Sequence, residues 1–224
     1  MITNNLLSTS ATGSYSQYSA PPNYLWGTGA ALQGALDNDV SALKFGYILD
    51  ESTDWQNIDT NLNFSVAVKT NGTLWAWGVN SVAGILGDGT STSKSSPVQI
   101  GTLSDWLDIA CGHSHTIAVK TNGTLWSWGN NTNGQLGQGL LNATISSPVQ
   151  VGTLSNWKTV SLSDYNHVAA LKTDGTIWTW GNNFYGEIGN GSTTTTFSSP
   201  VQVGTLSTWA SASACDQHSL FLTT

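Results

Sequence analysis

Residues 115–139 read His115-Thr116-Ile117-Ala118-Val119-Lys120-Thr121-Asn122-Gly123-Thr124-Leu125-Trp126-Ser127-Trp128-Gly129-Asn130-Asn131-Thr132-Asn133-Gly134-Gln135-Leu136-Gly137-Gln138-Gly139. The first run, Thr116 to Lys120, reads as a half-buried strand. A second strand follows over Leu125 to Gly129. Asn122-Gly123 between them predicts a hairpin with a type I′ turn, whose central residues both need positive φ. Trp126 and Trp128 are two apart, so they face one side of the sheet. Such a face needs a neighbouring sheet to cover it. The Gly/Asn-rich tail after Gly129 then leads to Ser146-Ser147-Pro148-Val149-Gln150-Val151-Gly152-Thr153-Leu154.

The same pattern recurs outward in both directions. Trp26, Trp77, Trp128 and Trp180 are spaced by 51, 51 and 52 residues, and so are Trp55, Trp106, Trp157 and Trp209. Trp75, Trp126 and Trp178 complete the set, so all 11 Trp belong to one period. Asn71-Gly72 and Asp174-Gly175 mark the equivalent hairpins. A period near 51 residues built from hairpins predicts an all-β repeat protein of stacked four-stranded blades.

Composition removes several function classes. The chain has 224 residues, 6 Lys, no Arg and a net charge of −7. A nucleic-acid binder needs a basic footprint to displace counterions, and none is visible. Docking on anionic lipid is disfavoured for the same reason. No run of 18 apolar residues is present, so no membrane span is expected. The first 22 residues lack a basic segment followed by an apolar one, so no secretory signal is read. Residues 1–22 form a polar N-terminal arm, and 23–224 the repeat domain.

The 115–139 motif resembles the repeat of the regulator-of-chromosome-condensation family, over roughly residues 23–224. That resemblance implies a β-propeller, usually of seven blades. The unit at Tyr24-Leu25-Trp26-Gly27 departs from the pattern, and Phe64 stands where other units have His115, His167 and His218. The repeats begin in mid-unit and finish just after a first-strand segment, His218 to Thr224. The expectation is an all-β propeller of four such blades, with terminal strands closing one blade. Closure within one chain is preferred. Exchange of terminal strands with a neighbour, including self-association into a larger ring or an arc, is the alternative.

Recurring polar residues are first read as structural. The three repeated His are expected to hydrogen-bond within their own blades, because a ring points equivalent positions in different directions. His113 and His115 share a strand face, but no third metal ligand stands at suitable spacing. Asp37-Asn38-Asp39 and Gly87-Asp88-Gly89 lack the ligand pattern of a calcium loop. Cys111 and Cys215 sit two units apart and are read as unbridged. Lys69, Lys120 and Lys172 precede each hairpin turn and are read as solvated edge charges. No catalytic set and no cofactor loop is expected.

Departures from the repeat are the better pointers to function. Phe184-Tyr185 replaces Thr132-Asn133, and Asp164-Tyr165-Asn166 carries one extra residue. Tyr165, Phe184 and Tyr185 are therefore the candidate partner-binding residues. The family's nucleotide-exchange and chromatin roles transfer poorly to a chain without Arg. The leading expectation is a non-enzymatic structural part of a virus particle, a decoration or tail component, located on a virion or extracellular surface. It rests on the low charge, the polar arm and the Ser/Thr/Asn/Gly-rich surface. The alternative is a soluble propeller that binds a protein or glycan through one face.

Overall fold

The computed structural model describes residues 25–27, 47–50, 54–80, 84–164, 166–192 and 194–224. Tyr165 and the arm 1–22 lie outside the described residues, as does Asp37-Asn38-Asp39. All described elements are strands: β1 (Leu25–Gly27), β2 (Tyr47–Asp50), β3 (Trp55–Asn61), β4 (Phe64–Lys69), β5 (Leu74–Gly78) and β6 (Lys94–Gln99). They continue as β7 (Trp106–Cys111), β8 (His115–Lys120), β9 (Leu125–Asn130), β10 (Thr144–Gln150) and β11 (Trp157–Leu162). The last are β12 (His167–Lys172), β13 (Ile177–Asn182), β14 (Thr196–Gln202), β15 (Trp209–Ala214) and β16 (Ser219–Thr223). Three antiparallel four-stranded sheets, β3–β6, β7–β10 and β11–β14, are the full blades. They are flanked by two-stranded sheets, β1–β2 and β15–β16. By repeat position β1–β2 is the outer half of a blade and β15–β16 the inner half. No ladder joins β16 to β1 among the described residues.

Each blade seals its predecessor with the second Trp of its third strand. Trp128 is fully buried in the cluster that holds Val66, Leu74 and Leu86 of the blade before. Its indole Nε1–H donates to Ile85 O at 2.9 Å, and Trp180 donates likewise to Gln135 O at 2.9 Å. This contact explains one glycine of the repeat: a Cβ on Gly137 would stand 2.9 Å from Trp180 Nε1. The other Trp of each blade pack edge-to-face, as Trp106 does on Trp126 at 5.9 Å and on Trp128 at 6.2 Å between centroids.

The first strands of successive blades are stitched side chain to backbone. Cys111 N–H donates to Asp59 Oδ2 (2.8 Å), Val160 N–H to Asp108 Oδ2 (3.1 Å) and Ala214 N–H to Ser161 Oγ (3.0 Å). Burial raises the carboxyl pKa of both Asp59 and Asp108.

Three local expectations are corrected. The hairpin turns are not type I′. Gly72 N–H donates to Lys69 O and Lys69 N–H to Thr73 O, with Gly72 at φ 78°, while Asn71 is not among the positive-φ residues. Asn71 uses its side chain instead: Oδ1 accepts from Thr73 N–H at 3.1 Å and from Thr73 Oγ1 at 2.7 Å. Lys69, Lys120 and Lys172 are buried rather than solvated. Lys120 Nζ lies 4.7 and 4.4 Å from the Trp106 and Trp126 centroids and 3.1 Å from Asp105 Oδ1. Lys172 sits over Trp157 and Trp178, and burial lowers its pKa.

The histidines, thirdly, differ among themselves. Among the described residues neither ring nitrogen of His115 has a hydrogen-bond partner, and full burial lowers its pKa to about 3. His167 bonds both within and beyond its blade, Nδ1 to Ser163 Oγ (2.8 Å) and Nε2 to Ser219 Oγ (3.0 Å). Ser219 Oγ donates its own proton to Glu187 O (2.9 Å) and so must accept from Nε2–H. Nδ1 then accepts from Ser163. His115 lacks both partners because Gly112 and Val168 stand where Ser163 and Ser219 do. Cys111 is buried and Cys215 half-buried, and both thiols are free.

Candidate interaction surface

The antiparallel order of strands sorts the loops onto two faces. The turn after each first strand and the loop after each third strand share one face. The tight hairpins and the links between blades lie on the other. The first face holds Asp164 and Asn166 together with Phe184-Tyr185.

Two seams between blades form grooves of about 240 and 280 Å³, each walled on one side by the loop after a third strand, Gly87-Asp88 in one and Gly137 to Gly139 in the other. One is lined by Gly101, Leu103, Trp106 and Pro148, the other by Gly152, Leu154, Trp157 and Pro200. These are the same repeat positions twice over, so the grooves are a product of how blades meet.

The loop face is where the repeat is broken. In every full blade one Asn organises the loop after the third strand. Asn80, Asn131 and Asn183 accept through Oδ1 from Leu86, Leu136 and Ile188 N–H, each at 3.0 Å. Around this fixed frame the second and third full blades differ in three linked residues. In the second, Asn130 Oδ1 accepts from Thr132 N–H and Oγ1 and from Gln135 Nε2, while Gln135 Oε1 accepts from Asn133 N–H. In the third, Phe184 removes the hydroxyl and Glu187 replaces Gln135. Asn182 now donates through Nδ2 to Glu187 Oε1 (3.2 Å), and Tyr185 N–H donates to Oε2 (2.8 Å). Glu187 is buried, so it acts as an internal clamp that holds the loop.

The clamp presents two aromatic rings to solvent. Phe184 is 67% and Tyr185 59% exposed, and they touch only edge-to-face, with centroids 4.9 Å apart. The loop of the second blade adds exposed Leu140 and Leu141 on the same face. The extra residue of the 163–167 turn is absorbed by Asn166 at φ 64°. It carries Asp164 Oδ1 across to accept from Asn61 Nδ2 (2.6 Å) of the first full blade. Neither Leu140-Leu141 nor the Glu187 clamp was singled out from sequence. The signal was present as a Gln-to-Glu change beside the aromatic pair. Among the described residues no group of three His, Cys, Asp or Glu side chains is placed to hold a metal ion.

These features define a propeller built of chromosome-condensation-type repeats. The regulator of chromosome condensation (RCC1) repeat matches residues 71–119, 122–171 and 174–222, and the chain belongs to that family. A second description of the same repeat matches residues 106–135 and 157–187. Over 132 residues the chain is 33% identical to the protein RCC2 homolog of Danio rerio, covering 57% of this chain and 26% of that one. It is 37% identical over 123 residues to the ultraviolet-B receptor UVR8 of Arabidopsis thaliana, covering 54% and 27%. It is 34% identical over 123 residues to the mitochondrial RCC1 domain-containing protein RUG3 of the same plant, covering 53% and 27%. Among solved structures, Prp20p of Saccharomyces cerevisiae superposes with a TM-score of 0.75 at 20% identity, covering 89% of this chain and 51% of that one. The matched region spans about a quarter of the curated relatives and half of the solved propeller.

These relatives overturn the expectation of a virus-particle component on a virion or extracellular surface. They are proteins of animal, plant and yeast cells, one of them mitochondrial. The composition that suggested a particle surface has a different cause. In the three full blades, recurring Asn, Thr and Gly residues build the hairpin turns and the loop after the third strand.

Proposed function

We propose that this propeller segment is a non-catalytic protein-binding module whose partner seats on the loop face, anchored by Phe184 and Tyr185. The carrying observation is the exposed aromatic pair, held by a buried Glu187 that the preceding blade replaces with Gln135. Large rigid aromatics presented on a fixed loop are typical binding anchors. The repeat residues already supply the blade's stability, so the pair has no packing role to explain it. Protein recognition is a use of related propellers. One solved structure shows yeast RCC1 (Prp20) with Kap60, and the study of Prp20p concerns binding to Gsp1p and histones.

The test grafts the second blade's loop onto the third. The variant Phe184→Thr, Tyr185→Asn, Glu187→Gln restores a hydrogen-bond set the chain already uses, so it folds. A photo-crosslinking amino acid at position 185 is expected to label one defined protein segment in extract of the source cells. Excess unmodified parent chain should compete that labelling away, and excess loop-graft chain should not. Competition by the graft equal to that by the parent sinks the proposal, as does labelling of glycan alone.

A further inference from the structure

Resting on that reading, we infer that the segment seated on this face is cationic: an extended stretch of partner protein carrying Arg or Lys side chains. Two independent observations converge on it. The first is aromatic. The faces of Phe184 and Tyr185 are open to solvent, and an open ring face attracts a guanidinium or ammonium through its quadrupole.

The second is charge. Asp164 and Asp216 are both exposed in first-strand turns of this face. Among the described residues neither has an ion-pair partner; Asp164 has only the neutral amide of Asn61. The described lysines leave both unpaired. Lys69, Lys120 and Lys172 lie at the hairpin face over Trp rings. Lys94 is held by Asp88 at 3.1 Å, and Lys158 follows Trp157 at the hairpin end of β11. The loop face of the last two described blades therefore carries uncompensated negative charge, within a chain of net charge −7.

The two features are within reach of one ligand. Asn182 N–H donates to Asn166 O at 3.0 Å, tying the two loops together. Asp164 and Phe184 each lie two residues from that bond, roughly 7 Å along the chain. Three to five residues of extended partner span both, at about 3.3 Å per residue.

The experiment uses the full chain and two fluorescein-labelled peptides, (Gly-Arg-Ser)4 and (Gly-Gln-Ser)4, followed by anisotropy at 50 mM and 300 mM salt. The Arg peptide is expected to bind at least tenfold more tightly than the Gln peptide at low salt. Asp164→Asn with Asp216→Asn should weaken it about three- to tenfold, from the usual strength of exposed ion pairs. The loop graft should weaken it about three- to fivefold, from the usual strength of exposed cation–π contacts. Asp164→Asn keeps the oxygen that accepts from Asn61. Asp174→Asn, on the hairpin face where other blades carry Asn71 and Asn122, should change binding less than twofold. Equal binding of the two peptides, no binding of either, or an Asp164/Asp216 variant that binds like the parent overturns the inference. So does a loss with Asp174→Asn as large as that with the loop-face variants, which would show diffuse attraction. Failure here with crosslinking that the graft cannot compete rejects the cationic partner and leaves protein binding standing. Competition by the graft in that assay removes both.

Discussion

His115→Phe is expected to abolish part of the protein's sensitivity to acid. His115 is fully buried with neither nitrogen bonded, and that burial lowers its pKa to about 3, against 6.5 in the unfolded chain. Between those values the unfolded chain holds a proton that the folded one refuses. The stability is therefore complete above pH 6.5 and falls as the pH drops towards 3. At pH 4.5, two units below the unfolded value, the loss from this one group is about 2.7 kcal/mol, at 1.36 kcal/mol per unit. Phe removes that loss. The site accepts the ring, since Phe64 fills the same place in the first full blade and is 1% exposed. At neutral pH two effects oppose each other. Removing two unpartnered buried nitrogens gains about 1–3 kcal/mol, whereas the larger ring crowds Gly112, which already lies against the imidazole. The pH slope is thus the diagnostic. Urea midpoints followed by Trp fluorescence at pH 7.5 and 4.5 would measure it. Asp59 and Asp108, with raised pKa values, favour the folded state as pH falls, but they do so in both proteins and cancel in the comparison. An equal loss of stability in parent and variant would refute the reasoning.

Other perturbations separate further pieces of the blade. Gly152→Ala should cost about 1 kcal/mol, because its backbone is left-handed (φ 59°) but no atom lies within 4 Å of the added methyl. Gly123→Ala should cost at least about 3 kcal/mol by the same denaturation assay, since its Cβ would meet Ser155 O at 2.2 Å on top of a φ of 77°. Ser219→Ala should cost about 1–3 kcal/mol by leaving the His167 Nε2–H without an acceptor, and nitrogen NMR of the parent should show the proton on Nε2. Lys120→Met should destabilise more than Lys172→Met in thermal melts, because Lys120 has Asp105 at 3.1 Å whereas Asp174 acts on Lys172 from beyond ion-pair distance. Equal costs would discount that ion pair.

The fold was legible because its determinants are periodic. A Trp every 51 or 52 residues, with a Gly two residues after each hairpin Thr, repeats a signal that a single copy states weakly. Contacts between copies were harder to read. Nothing in Lys120 alone says that it will lie across two indoles. Its surroundings are Trp106, fourteen residues earlier, and Trp126, across a hairpin. The hairpin itself was legible but not its type, since Asn122 satisfies the turn with its side chain rather than with a left-handed backbone. His115 shows the same limit. Equivalence with His167 implied equivalent bonds, yet bonding depended on Gly112 and Val168, one of them in the next blade.

The division of labour within each blade explains where binding residues can arise. The buried Trp donates into the preceding blade, the loop-organising Asn gathers the whole loop after the third strand, and glycines such as Gly78 and Gly137 sit where a Cβ would strike Phe64 or Trp180, so changing one disturbs the frame of the blade. Positions 132–133 and 184–185 have no such obligation. Among the described residues Thr132 bonds to the Asn130 side chain alone, and Asn133 through its backbone to Gln135 alone. Replacing them with Phe184 and Tyr185 required one compensating change, Gln to Glu at the clamp, which reversed the role of Asn182 from acceptor to donor. A blade can therefore trade a polar corner for an aromatic one without touching the core that seals it to its neighbours. Surface substitutions of this kind alter stability by about 0.5 kcal/mol or less. Melting temperatures of the parent and the loop graft should then agree closely while their crosslinking competition differs. A graft that melts far below the parent would instead make the aromatic pair part of the blade's own structure.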